Sequence, residues 1–136
     1  MEHTKYTIIW LIFLSILAIS CNKEEIDIDA REAILGKWEI IENTFGPISY
    51  PGTYEEYKTD SLLFIYNSED DSFHGKYWLN DSLLFHHIVW YTYDGVHHDT
   101  IEITQPFRYE FLSPDKLKLD SYNPALNPIT IYKRIK

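Results

Sequence analysis

Apolar and polar positions alternate from Gly36 to the end of the chain. Trp38 and Ile40 alternate with Lys37 and Glu39, the period-two pattern of a half-buried strand. Runs rich in Tyr, Phe, Ile, Leu and Val then recur, punctuated by Thr59-Asp60, Asn80-Asp81, Asp94-Gly95 and Pro114-Asp115. Asp and Asn bond their own backbone in turns, and Asp-Gly favours a two-residue hairpin. Three of the turns lead into similar strand starts, Asp60–Phe64, Asp81–Phe85 and Asp115–Leu119, at intervals too unequal for a repeat array. Asn43–Thr53 and the proline-rich Asp120–Pro128 break the pattern and read as long loops. A helical signal stands only at Ala30–Leu35, with Asp29 as its cap and Gly36 as its stop. The pattern predicts an all-β fold, an up-and-down antiparallel β-barrel of eight or nine strands after a short N-terminal helix. Continuous nearest-neighbour hairpins favour a barrel, which leaves no exposed edge, over a sandwich.

Ahead of this body lies an uncharged apolar run, Ile8–Ser20, preceded by Lys5. It has the length of a signal-peptide core and falls short of the roughly 20 residues that span a bilayer. Ala18-Ile19-Ser20-Cys21 resembles the lipobox of bacterial lipoproteins. The resemblance implies a diacylglyceryl group on Cys21, cleavage before it and acylation of the new amine, an anchor of two or three chains that holds stably. Lys23-Glu24-Glu25 resembles the Lys-acidic-acidic tag that carries lipoproteins to the cell surface in one group of Gram-negative bacteria. It implies a lipid-anchored outer-membrane protein exposed at the cell surface, with a periplasm-facing position as the alternative. The chain thus divides into a signal peptide (1–20), a lipidated tether with the start of the helix (21–33) and a barrel domain (34–136).

The net charge of −9 argues against nucleic acid, which needs clustered Lys and Arg, and disfavours adhesion to anionic lipid. Cys21 is the only cysteine, so its lipidation leaves no thiol for a disulfide, a thiolate metal site or a nucleophile. Packing must then hold the domain together, and eleven Tyr and four Trp can supply it.

Leu35-Gly36-Lys37-Trp38, opening the first strand after a short helix, resembles the Gly-x-Trp entry of lipocalins, most of all the small bacterial lipocalin-like lipoprotein domains. Tyr109–Leu112, the Ser-Pro-Asp turn, Lys116–Leu119 and a last strand with Tyr132-Lys133-Arg134 fit the same family. The resemblance implies that Trp38 closes one barrel end and that Arg134 packs across it, with Gly36 at the entry. It also implies that Asn43–Thr53, carrying Phe45 and Tyr50, overhangs the open mouth. The family's C-terminal helix is missing here and Asp120–Pro128 stands in its place.

Histidines His74, His86-His87 and His97-His98, with Asp99 next in line, invite a metal reading. A two-residue turn at Asp94-Gly95 would set His87 opposite Glu102, roughly 13 Å along the strand from His98, too far for one shared ion. No metal and no cofactor is expected. The same register puts Ile88, Trp90, His97 and Asp99 on one apolar, inward face. Without a Gly-x-Ser-x-Gly elbow or spaced acid pairs, no enzyme is expected, and the Glu55-Glu56 and Glu69–Asp71 runs read as surface charge. The candidate ligand-binding residues are therefore Phe45, Tyr50, Ile88, Trp90, His97 and Asp99, for a small, largely apolar ligand. The alternative is a protein-interaction or inhibitor module with a solid core and an envelope protein as partner. A third reading, glycan binding, requires coplanar Trp or Tyr rings on an outer face.

Overall fold

Asp29 accepts a hydrogen bond from Arg31 N at 3.0 Å and caps a short helix, α1 (Ala30–Ala33). Gly36 follows at φ +109°, a backbone angle that suits glycine, and turns the chain into the first strand. The computed structural model describes residues 29–44, 46–47, 52–122 and 129–136. Its strands are β1 (Gly36–Asn43), β2 (Gly46–Pro47), β3 (Tyr54–Tyr57), β4 (Leu62–Tyr66) and β5 (Ser72–Leu79). They continue as β6 (Leu83–Thr92), β7 (His98–Ser113), β8 (Lys116–Ser121) and β9 (Ile129–Ile135).

From β3 onward each strand pairs antiparallel with the next, and β9 returns to pair with β1, whose other side takes β3. Eight strands thereby close into an up-and-down barrel, and β2 is only a two-residue strand folded back on β1. That small strand falls inside Asn43–Thr53, read from sequence as loop throughout. Successive connections alternate between barrel ends. One end carries α1 and the β3–β4, β5–β6 and β7–β8 turns; the other, the mouth, carries the β4–β5 and β6–β7 connections.

The α1 end is closed by packing and by one cation. Ile34, Trp38, Leu63, Leu84, Leu117 and Leu119 are almost wholly buried there and in the barrel's middle. Trp38 Nε1 donates to Ile34 O at 2.7 Å, which satisfies the indole and fixes α1 over the barrel floor. The Arg134 guanidinium lies 4.3 Å from the Trp38 ring centre and donates to the carbonyls of Leu35 and Ala33. It thus caps helix-end carbonyls that have no partner inside the helix. Its backbone N also bonds Asp115 O at 2.9 Å, tying in the β7–β8 turn. A Cβ on Gly36 would come within 3.2 Å of the guanidinium, a second reason for glycine there.

These contacts predict that Trp38→Ala lowers the unfolding free energy by about 3–5 kcal/mol through an unfilled cavity. Arg134→Lys, which cannot bridge two carbonyls with a planar fork, is expected to cost about 1–3 kcal/mol. Urea denaturation followed by circular dichroism measures both.

Candidate functional site

Period-two alternation sets Glu55 and Tyr57 of β3 on the same face, and both point into the barrel and are buried. Leu84, His86 and Ile88 of β6 share its inward face in the same way. Tyr132 enters from β9. Glu55 accepts from Tyr57 Oη at 2.6 Å through Oε2 and from Tyr132 Oη at 2.8 Å through Oε1. Tyr57 Oη lies 2.8 Å from His86 Nε2. The chain Tyr132–Glu55–Tyr57–His86 therefore braces the interior from β9 to β6. Phe107 backs the imidazole at 4.7 Å between ring centres, and Tyr77 meets Tyr57 edge-on at 5.0 Å.

Proton counting fixes the direction of this chain. The Tyr57 hydroxyl has one proton and gives it to Glu55, so its oxygen accepts from His86 Nε2–H. Burial pushes the Tyr57 and Tyr132 phenols well above their ordinary pKa, and the Glu55 carboxylate adds to the rise. Burial also holds His86 below the ordinary histidine value, against the opposing pull of Glu55. The imidazole is therefore neutral at physiological pH.

The barrel interior is graded. Ile88, one inward step beyond His86 towards the mouth, packs against the core yet is only half-buried, as are Ile40 and Ile65 opposite Tyr132 and Glu55. Gln105, opposite His86 on β7, is half-buried as well and donates to Ser121 Oγ at 3.0 Å.

Four of the six candidate ligand residues lie within the described residues, and the structure separates them. Val89 is an extra residue in β6 relative to β5, a bulge that parts Ile88 from Trp90. Ile88 sits opposite Gly75 and packs on the core. Trp90 sits opposite His74 and stacks on it at 3.5 Å and 8°. His74 in turn pairs with Phe64, which alternates with the core residues Leu63 and Ile65, so this row faces outward. Gly75 permits the bulge, because a Cβ there would collide with the His87 carbonyl.

The hairpin tip also differs from the two-residue turn. Tyr93 N bonds His97 O at 3.4 Å, and the register sets Thr92 against His98 and Tyr91 against Asp99. The Asp94 carboxylate drives this by accepting from His97 N at 2.6 Å and Val96 N at 3.1 Å and by pairing with the His97 ring. Those bonds, the backbone one from His97 foremost, hold the Asp94 carboxyl at about 2. His97 and Asp99 are consequently exposed at the tip and do not line the interior. His87 faces Thr104, bonding its Oγ1 at 2.8 Å, with Glu102 at 4.0 Å. Phe45, Tyr50 and Cys21 lie outside the described residues. Among the described residues no group of three or more His, Cys, Asp or Glu side chains is placed to hold a metal ion.

Sequence reasoning missed Glu55, Tyr57, His86 and Tyr132. The alternation Glu55–Tyr57 and Leu84–His86–Ile88 is visible in the sequence, but there Glu55 reads as surface charge and His86 only as a candidate metal ligand.

The outer wall carries its own relief. A groove of about 540 Å³ runs between Leu62, Phe64, Lys58, Lys76 and Trp90. Nearer the α1 end, Trp78 stacks on Phe85 at 5.1 Å and 9° and borders a second groove of about 420 Å³ that reaches Arg31.

The buried network predicts a bounded pH range of stability. Below pH ~6.5 the unfolded chain takes up a proton that folded His86 refuses, so stability falls as pH drops, by up to about 1.4 kcal/mol per pH unit. His74, held low by burial and by Lys58, adds a smaller slope of the same sign. Above pH ~10 the unfolded chain releases phenolic protons that Tyr57 and Tyr132 retain, so stability falls again. Urea midpoints from pH 5 to 11 measure both limbs, and His86→Gln is expected to flatten the acid limb and leave the alkaline one.

No protein-family model matches this chain, and no curated protein matches it in sequence.

Proposed function

We propose that the chain is a lipid-anchored outer-membrane lipoprotein whose lipocalin-like barrel binds a small, largely apolar molecule in the mouth half of its interior. The observation that carries this reading is the gradient inside the barrel. Ile88 points inward beyond His86, and Ile40 and Ile65 point inward beside Tyr132 and Glu55; all three remain half-buried above a packed floor of Trp38, Leu63 and Leu117. Apolar side chains that face inward yet stay accessible make a cup, and a concave apolar wall with a few polar groups is the usual form of a small-molecule site.

The anchor suits that cup. Asp29 and α1 sit at the closed end, and the segment from Cys21 to Asp29 can extend roughly 28 Å. A lipid on Cys21 would therefore hold the closed end towards the membrane and leave the mouth facing away.

A second reading, a surface interaction module, draws on the outer wall. Trp78 is 45% exposed and Leu62 42%, beside the two outer grooves.

Native mass spectrometry of the mature protein, extracted gently from its producing membrane, separates the two. The cup reading expects a bound mass that unfolding releases and that Ile88→Arg abolishes. A bare mass that stays bare after exposure to lipid and metabolite extracts contradicts it and favours the outer wall. For the anchor, Cys21→Ser is expected to abolish incorporation of labelled palmitate. Unchanged labelling would contradict lipidation at Cys21.

A further inference from the structure

His86 is buried to 4% exposure, and only one of its ring nitrogens is engaged. Nε2 donates to Tyr57, whereas Nδ1 has no hydrogen-bond partner among the described residues. Buried polar atoms are ordinarily paired, because a lost partner costs the full desolvation of the group. Among the described residues no side-chain polar atom sealed from solvent lacks a hydrogen bond. Nδ1 must therefore border open space, and in the neutral Nε2–H tautomer it presents a lone pair there. Across the β6–β7 ladder, Gln105 gives its amide nitrogen to Ser121, which leaves its carbonyl oxygen as a second acceptor. Ile88 and Phe107 supply apolar wall beside both groups. Behind the imidazole, two hydrogen bonds away, stands the Glu55 carboxylate.

We infer that the interior takes a neutral ligand with a hydrogen-bond-donating head, a hydroxyl on an apolar body, and rejects the matching carboxylate. The inference rests on the reading of the barrel as a ligand-binding cup. A hydroxyl proton satisfies one of the two acceptors, His86 Nδ1 or Gln105 Oε1. A carboxylate has no proton to offer at neutral pH, so it would set its oxygens against two lone pairs in a site of low polarity. It would also approach Glu55 within a chain of net charge −9, and like charges in such a setting repel strongly.

Equilibrium dialysis of the mature full-length protein, held in amphipol at pH 7.5, tests this with tritiated decan-1-ol and decanoate. The alcohol is expected to bind at least about tenfold more tightly, the effect of one buried hydrogen bond kept or lost. His86→Phe is expected to weaken the alcohol and remove most of the preference. Should that variant unfold by circular dichroism, Gln105→Leu is to weaken the alcohol about fivefold and leave decanoate unchanged. Equal binding of the two probes, or tighter decanoate, overturns the head-group assignment while leaving the cup in place. A preference untouched in a folded His86→Phe variant also overturns it. Binding of neither probe overturns the assignment together with the cup.

Discussion

A carboxylate inside a small barrel is tolerable only if its oxygens are fully engaged, and Glu55 meets that condition with two phenols. An unpaired buried ion costs several kcal/mol, roughly the whole margin by which a domain of this size is folded. Tyr57 and Tyr132 remove the penalty and, in doing so, fix their own positions. Tyr132 stands on β9, across β1 from β3, so the Glu55 bond spans the strand where the barrel closes on itself. Tyr57 carries the chain on to His86 in the opposite wall. One carboxylate thus holds the closing strands and the far wall at a set separation, and it determines the tautomer of the only buried histidine among the described residues.

The layer it forms divides the barrel into unlike halves. Below it, Trp38, Leu117 and Leu63 fill the space, and Arg134 joins the floor to α1 by capping carbonyls and covering the indole. On its mouth side inward Ile88 is apolar but half-buried, and Gln105, opposite His86, is half-buried as well. Rigidity is therefore concentrated at the end where the chain enters, and accessibility at the other.

The barrel was legible because local rules and the global fold agree. Asp and Asn turn residues stand between period-two runs, and nearest-neighbour hairpins leave few other closures. The face assignment around Trp90 was not legible, because a single extra residue at Val89 reverses every side chain beyond it. Gly75 is the trace of that bulge, yet its meaning depends on knowing that it lies against His87 and Ile88. At the hairpin tip, Asp94-Gly95 signalled a turn, but Asp94 bonding to Val96 and His97 made the turn longer and shifted the register. Glu55 and His86 were hidden for a different reason. Their periodicity pointed inward, while their chemistry pointed outward, and only partners distant in sequence decide between the two. Tyr132, 77 positions from Glu55, is such a partner.

The buried network depends most on the state of one ring. Two-dimensional ¹⁵N–¹H NMR of the folded protein at pH 7, selectively labelled in histidine, reads the protonation of His86 directly, with His86→Gln identifying its signals. A neutral ring protonated at Nε2 is expected, with Nδ1 at the resonance of a bare, lone-pair nitrogen. A proton on Nδ1, in the other tautomer or in the imidazolium, would contradict the hydrogen-bond direction from His86 through Tyr57 to Glu55.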